Sequence, residues 1–437
     1  MSRLRILALA PDANPESISV NLVCYRQAEA LAQLHAVTLI GRSCSEEALR
    51  RAQGPFHAIE AISVPWLDRI FAWSLRWIFK NNFRSNALTA FGYPFAIAFE
   101  WCAWRRMRTR IKAGEFDVVL RLSPVISVIP SAFPFFLRNC SMPFIIGPIN
   151  GGLPWPQGFS QADNQKGWID NLRNMYRFLP FARSTYQRAA AIIAGSSHTC
   201  AEFAGYGDKI FFIPENGVSR SLCSGTERRS PRGGRLELIF VGGLVPYKAC
   251  DLALRAAAPF LRNGLARFAV AGDGPERSHL EQLTKSLGIA ESVTFCGMLS
   301  HTEALQRLRS ADVLVFPSVR EFGGGVVFEA LALGAVPVVA DFGGPGDIVN
   351  PEVGCKVSLT NETEVVLQLK KVLARLIDNR DLLERLRQQG MSYARERLTW
   401  EAKAQDVTKV LHWVLWGGAK PDFLPPKPLP DGVGSSR

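Results

Sequence analysis

Several familiar signatures are missing from this 437-residue chain, and each absence removes a class of function. No Asp-x-Asp occurs, so a divalent cation bridging a diphosphate is not indicated. No G-x-G-x-x-G follows the first strand, which speaks against a nicotinamide or flavin site there. No G-x-S-x-G elbow and no Ser-His-Asp order appear, so a hydrolase triad has no support. The nine cysteines include no C-x-x-C pair, so a cysteine metal site is not expected, and their odd number fits a reducing compartment. No stretch offers about 18 uninterrupted apolar residues, and no transmembrane span is expected. The nearest, residues 87–103, contains Pro94 and Glu100. The N-terminus has only a short apolar run and reads as a first strand instead of a signal peptide. Acid is scarcer than base: 39 Asp and Glu against 51 Lys and Arg give a net charge of +12, which suits a negatively charged partner.

What is present is a globular composition, 47% apolar and 21% charged, in a chain long enough for two domains. Strand-like and helix-like runs alternate from Arg5 to Val357, which predicts an α/β protein with a parallel sheet in each half. Strands are expected at Arg5–Ala10, His35–Ile40, Phe116–Leu120, Met142–Ile149, up to Ala194, and at Lys209–Ile213. The polar, glycine-rich stretch Ser219–Gly234 reads as the linker. It separates a first domain (1–218) from a second (235–398). Thr399–Trp416 reads as a closing amphipathic helix, and 417–437 as a disordered tail rich in Gly and Pro. Between Trp66 and Lys112, twelve aromatic residues interleave with nine arginines and lysines. Two readings stay open there: an interfacial segment on anionic lipid, or helices that send their aromatics into the core. No nucleic-acid motif accompanies the charge, so a nucleic-acid partner is not expected.

The most informative stretch is Phe316–Gly346. The strand ADVLVF breaks at Pro317-Ser318 and presents Glu321, then three glycines, Gly323, Gly324 and Gly325. A helix containing Glu329 follows and should stop at Gly334. A second strand then runs into Gly343–Gly346. Glycines at a strand end let backbone amides approach a ligand, and a helix that starts there points its positive end at the same place. A diphosphate is the natural occupant. Lys248, after the turn at Gly242-Gly243, can neutralise a phosphate as a point charge. Gly272–Glu276 and Cys296-Gly297 end neighbouring strands on the same side. Ser300–Glu303 reads as a capping box. His279 and His301 read as structural, and so does His198 beside Ser196-Ser197.

With these residues in place, the chain resembles the retaining nucleotide-sugar glycosyltransferases of family 4. The resemblance rests on VGGLVPYKACDLAL, FAVAGDGPERSHLEQL, VTFCGMLS, IPENGVS, and the E-x7-E spacing of Glu321 and Glu329. It implies a GT-B fold, two Rossmann-like doubly wound domains facing a cleft, and the final helix crossing back to the first domain. It further implies that Lys248 and Gly243 meet the donor diphosphate, and that Glu321 contacts the donor sugar. Amides around Gly323, Gly324, Gly325, Val326 and Val327 hold diphosphate or sugar. Glu329 takes the ribose hydroxyls, and Cys296-Gly297 lies beside the base. The expected donor is a nucleotide-diphosphate sugar, UDP before GDP or ADP, with neither cofactor nor metal. The expected acceptor is a saccharide or lipid-linked saccharide of cell-surface polysaccharide or lipopolysaccharide synthesis. The expected location is the cytoplasm, with contact to the inner face of the membrane as an option. Three departures stand out, one of them the first loop, Pro11–Ser19 in place of the common glycine pair, which gives no reading of acceptor binding. Gly242-Gly243-Leu244 replaces Gly-Arg-Leu, so one phosphate cation is missing. Gly147–Gly152 lacks the usual histidine, and Asn150 is the substitute. A nucleotide-sugar epimerase and a catalytically silent scaffold of this fold are the alternatives.

Overall fold

A computed structural model describes residues 3–17, 19–64, 85–123, 129–150, 153, 155, 156, 159, 179–224 and 234–423. The first part of the aromatic segment (66–84), Gly151-Gly152, residues 225–233 of the expected linker and the end of the tail (424–437) lie outside the described residues. The chain divides into two compact units. The first comprises the described residues within Met1–Gly152, Lys166–Glu215 and Lys403–Arg437, the second those within Leu153–Gln165 and Asn216–Ala402.

The first unit is a seven-stranded sheet: β1 (Arg5–Leu9), β2 (Ala36–Arg42), β3 (Ala58–Ile62), β4 (Val118–Arg121), β5 (Phe144–Ile149), β6 (Ala191–Ala194) and β7 (Ile210–Phe212). Their order is β3-β2-β1-β4-β5-β6-β7, and every pairing is parallel. The second unit has six strands: β8 (Leu236–Val241), β9 (Ala266–Ala271), β10 (Val293–Gly297), β11 (Val313–Phe316), β12 (Val336–Ala340) and β13 (Cys355–Val357). Their order is β10-β9-β8-β11-β12-β13, again all parallel. Central strands such as β11 (VLVF) and β12 (VPVVA) are buried along their whole length. That is what covering both faces with helices demands, and it explains their unbroken apolar runs.

The longer helices are α1 (Val20–Leu34), α2 (Ser85–Lys112), α3 (Cys250–Arg262), α4 (Arg277–Ser286), α5 (His301–Ser310), α6 (Gly325–Leu333), α7 (Glu362–Asp378), α8 (Arg380–Tyr393) and α9 (Trp400–Trp416). Two elements go beyond the sequence reading. β3 is a half-buried edge strand with Glu60 at its centre, which interrupts its apolar run. α8 follows α7 after a single residue, Asn379, whose side chain accepts from Leu382 N.

The described part of the aromatic segment is core-forming. On α2, Phe99, Ala103, Met107 and Ile111 recur at helical spacing and are buried with Phe116, Phe133 and Phe144. Trp101 stays half exposed and packs edge-on against Phe136 at 5.4 Å. Glu100 on the same helix is also buried. Its carboxylate pairs with Arg121 Nε at 3.1 Å and accepts from Ser131 Oγ (2.9 Å), Ala132 N (2.6 Å) and Phe133 N (3.2 Å). Burial pushes its carboxyl above the usual range, while Arg121 and the three donors pull it back. Among the described residues, no helix is long and apolar enough to cross a membrane.

His35 fixes the end of the chain within the first unit. Its Nδ1 accepts from Leu4 N at 3.3 Å, and its Nε2 lies 2.8 Å from Thr408 Oγ1 on α9. Accepting at Nδ1 leaves the ring neutral with its proton on Nε2. Burial, helped by His412 and Arg3, lowers its pKa to about 4. The unfolded chain therefore binds this proton more readily. His35 contributes stability that is complete above about pH 6.5 and is lost as pH falls toward 4. In denaturant titrations the first unit's stability should fall in that window, with His35 supplying up to about 1.4 kcal/mol per pH unit. His35→Gln, which keeps an N–H for Thr408, should flatten that slope. An unchanged slope would remove His35 from the account.

Candidate active site

In the second sheet the chain runs from β8 outward to β9 and β10, then returns to the other side of β8 as β11. The strand order reverses between β8 and β11. Loops leaving the carboxyl ends of these two strands flank the reversal, the place at which open α/β sheets generally form a ligand crevice. The two stretches singled out in the sequence, Gly242–Lys248 and Pro317–Gly325, are those loops.

Backbone hydrogen bonds stitch them together. Val319 N donates to Tyr247 O at 2.9 Å, and Ser318 Oγ donates to the same oxygen at 3.3 Å. On the other side Leu244 N donates to Asp273 O at 2.9 Å, and Glu276 N to Leu244 O at 3.0 Å. Gly272 N reaches Gly297 O at 2.9 Å. These approaches need glycine. A Cβ on Gly272 would lie 1.9 Å from Gly242 O, at a φ of 144° that side chains avoid. Gly243 differs, since nothing lies within 4 Å of where its Cβ would be.

Lys248 and Glu321 meet in this crevice as an ion pair between Nζ and Oε2. Both side chains are mostly buried, and Lys248 Nζ also lies 5.1 Å from the Phe316 ring centre. The other oxygen of Glu321 accepts from Gly324 N at 3.3 Å. Gly324 is the N-cap of α6 with a left-handed φ of 57°, and no side chain caps this helix. The first-turn amides of α6 therefore face the crevice with their partial positive charge. α6 ends at Gly334, left-handed with a φ of 80°, where the sequence places its stop.

Glu329 lies one turn into α6. Its Oε1 pairs with His301 Nε2 at 2.7 Å. His301 is the first residue of α5, held by the capping box in which Ser300 Oγ accepts from Glu303 N and Glu303 accepts from Ser300 N. The hydrogen bond to Glu329 raises the pKa of His301 above its ordinary value. Sequence reasoning missed this contact, since the two residues are 28 positions apart and on different helices.

Cys296 and Gly297 end β10, and the place of a Gly297 Cβ lies 3.4 Å from Arg277 Nη1. Arg277 is held by Asp273 and Glu281, each at 3.0 Å. Arg320, next to Glu321, stacks on Trp155 at 5.1 Å, and Trp155 meets Tyr247 edge-on at 6.3 Å. No motif marked Trp155 in the sequence.

Asn150 follows β5 in the first unit and is buried. Its Oδ1 accepts from Ser196 Oγ (3.0 Å) and Thr199 Oγ1 (3.3 Å). These two bonds fix the amide, and among the described residues its Nδ2 has no hydrogen-bond partner. Buried polar groups are usually paired, which sets this Nδ2 apart from its neighbours. Among the described residues, no group of three or more His, Cys, Asp and Glu is placed to hold a metal ion.

Residues 227–393 match the family model described as Glycosyl transferases group 1. An uncharacterized glycosyltransferase of Methanocaldococcus jannaschii is 35% identical over 138 residues, covering 31% of this chain and 35% of that protein. A glycogen synthase of Mycobacterium tuberculosis is 26% identical over 276 residues, covering 62% of this chain and 64% of that protein. The chain thus matches less than two thirds of the length of either relative. Among solved structures, Anabaena HepE in complex with UDP superposes with a TM-score of 0.60 at 16% identity, covering 93% of this chain and 99% of that one. Two parallel-sheet Rossmann-like units, together with this likeness, give the protein the GT-B fold.

Proposed function

We propose that this protein is a retaining glycosyltransferase of the hexosyltransferase type that uses a nucleotide-diphosphate sugar. The observation that carries this reading is the Lys248–Glu321 pair at the β8/β11 reversal, directly before the uncapped start of α6. When the bond from the anomeric carbon to the diphosphate breaks, negative charge gathers on the departing phosphate. A lysine ammonium and helix amides already aimed at that place stabilise it without reorganising. In the free protein Glu321 holds Lys248. A bound diphosphate takes over the ammonium, and Glu321 turns to the sugar hydroxyls.

Glu329 receives the ribose hydroxyls, because a carboxylate accepts two hydrogen bonds from a vicinal diol. Glu321 and Glu329 then fill the E-x7-E positions of family 4. The strand end at Cys296-Gly297 borders the base. Asn150, through Nδ2, serves the donor sugar in place of the family histidine. UDP is the favoured leaving group, in keeping with the UDP bound by the Anabaena neighbour. The acceptor is a saccharide or a lipid-linked saccharide of cell-surface glycan synthesis. The net charge of +12 favours such an anionic, membrane-borne partner.

Because lysine and amides supply the charge, the reaction proceeds without a metal. The test is a donor screen that reads released nucleoside diphosphate, run with and without EDTA over a panel of acceptors. Turnover with a UDP-sugar that survives EDTA is the expected result. Loss of turnover in EDTA, restored by Mg²⁺ or Mn²⁺, would defeat the metal-free assignment. Conversion of the sugar with no acceptor present would show an epimerase instead.

A further inference from the structure

We propose that His301 is a positioning residue for the ribose subsite, acting through Glu329; this rests on the reading of Glu329 given above. The geometry is specific. An ionised carboxylate only accepts, so the 2.7 Å contact puts a proton on His301 Nε2 and makes it the donor to Glu329 Oε1. The backbone that carries His301 is fixed. The capping box at Ser300 and Glu303 sets the first turn of α5, and His301 is its first residue.

The contact is also unusual for a surface pair. His301 is 69% exposed at its side chain while Glu329 is only 23% exposed. The imidazole is thus the more exposed partner and the carboxylate the more buried one. One oxygen of Glu329 is thereby oriented, and both oxygens keep lone pairs for a diol. A carboxylate free to rotate would lose that alignment each time a nucleotide bound. Nothing else is asked of His301. It lies outside the Lys248–Glu321 pair, so its loss should weaken nucleotide retention more than turnover.

The test uses the full chain and calorimetric titration with UDP, GDP and ADP, each beside its 2′-deoxy form. Wild-type protein should prefer the ribonucleotide of whichever base it takes. His301→Ala should weaken that ribonucleotide by about 3- to 10-fold, the worth of an aligned hydrogen bond. The 2′-deoxy form, already short of one hydroxyl, should lose much less. His301→Gln, which keeps an N–H donor, should restore most of the preference. In steady state the His301→Ala change should appear in KM for the donor and spare kcat. Thermal unfolding of each variant checks that the fold is intact.

An unchanged ratio of ribo- to deoxynucleotide affinity in His301→Ala would overturn the role of His301 and leave the donor site standing. Wild-type protein that binds a nucleoside diphosphate but ignores the 2′-hydroxyl would overturn the assignment of Glu329, and His301 with it. No binding of any nucleotide would overturn the proposed function as a whole.

Discussion

Lys248→Ala should lower turnover by about 100- to 1,000-fold at saturating donor, the range seen when one preorganised charge-stabilising group is removed. Two effects add in the same direction. The departing diphosphate loses the Lys248 ammonium at the β8/β11 reversal. Glu321, mostly buried, also loses its partner, and its negative charge would then face the phosphates directly. Lys248→Arg should recover little. A guanidinium is planar and forked, and it does not replace a compact ammonium in a pocket shaped by Phe316 and Tyr247. Glu321→Gln separates the two effects. It removes the repulsion and retains an oxygen for Gly324 N, so Lys248→Ala/Glu321→Gln should be less impaired in donor binding than Lys248→Ala alone. Initial rates of nucleoside diphosphate release, together with donor KM, provide the measurement. Near wild-type turnover in Lys248→Ala would remove this pair from the reaction.

Lys248 and Glu321 stand out in the sequence because they lie in two short glycine-rich loops, but their pairing with each other does not. Strand, glycine turn and helix follow each other locally, and the alternation of elements predicts a parallel sheet. What escaped is long-range in sequence. His301 and Glu329 belong to different βα units, and only the packing of α5 beside α6 brings them together. The partners of Asn150 lie 46 and 49 residues away on the far side of β6. Trp155 precedes the linker in sequence, yet it packs on Tyr247 and Arg320 of the second unit. A composition shift at Ser219–Gly234 marks where the chain lacks apolar pattern, and it says nothing of a segment that visits the other sheet. On α2 the apolar period Phe99-Ala103-Met107-Ile111 was present in the sequence. The arginines between those positions made the stretch look amphipathic for either a membrane or a core. Burial decides for the core over the described part.

Glu100 was legible only as an obstacle to a membrane span, and its partner 21 residues on was not. That pair carries the largest expected effect on stability. Glu100 and Arg121 are both almost fully buried, at 4% and 1% side-chain exposure. Arg121 Nη2 donates to Ile129 O at 3.0 Å, and Glu100 gathers Ser131, Ala132 and Phe133 around its other oxygen. Breaking such a pair from one side strands the remaining charge in a medium that solvates it poorly. The cost is about 3–5 kcal/mol, well above what the intact pair adds over an apolar replacement. Glu100→Gln is the milder probe, because its amide oxygen still accepts from Ala132 N while the charge and the acceptor facing Arg121 are lost. Arg121→Met leaves the carboxylate with its three donors and no cation. Each single change should lower the unfolding free energy of the first unit by about 3–5 kcal/mol. The double change should cost much less than the sum, because neither charge is then left alone. Strictly additive losses in the cycle would mean that packing, not the charge pair, sets the stability of this layer. The second unit holds Lys248, Glu321, Glu329 and His301 and contains neither member of the pair. Nucleotide binding by the Glu100→Gln protein, measured below its unfolding transition, should therefore match wild type.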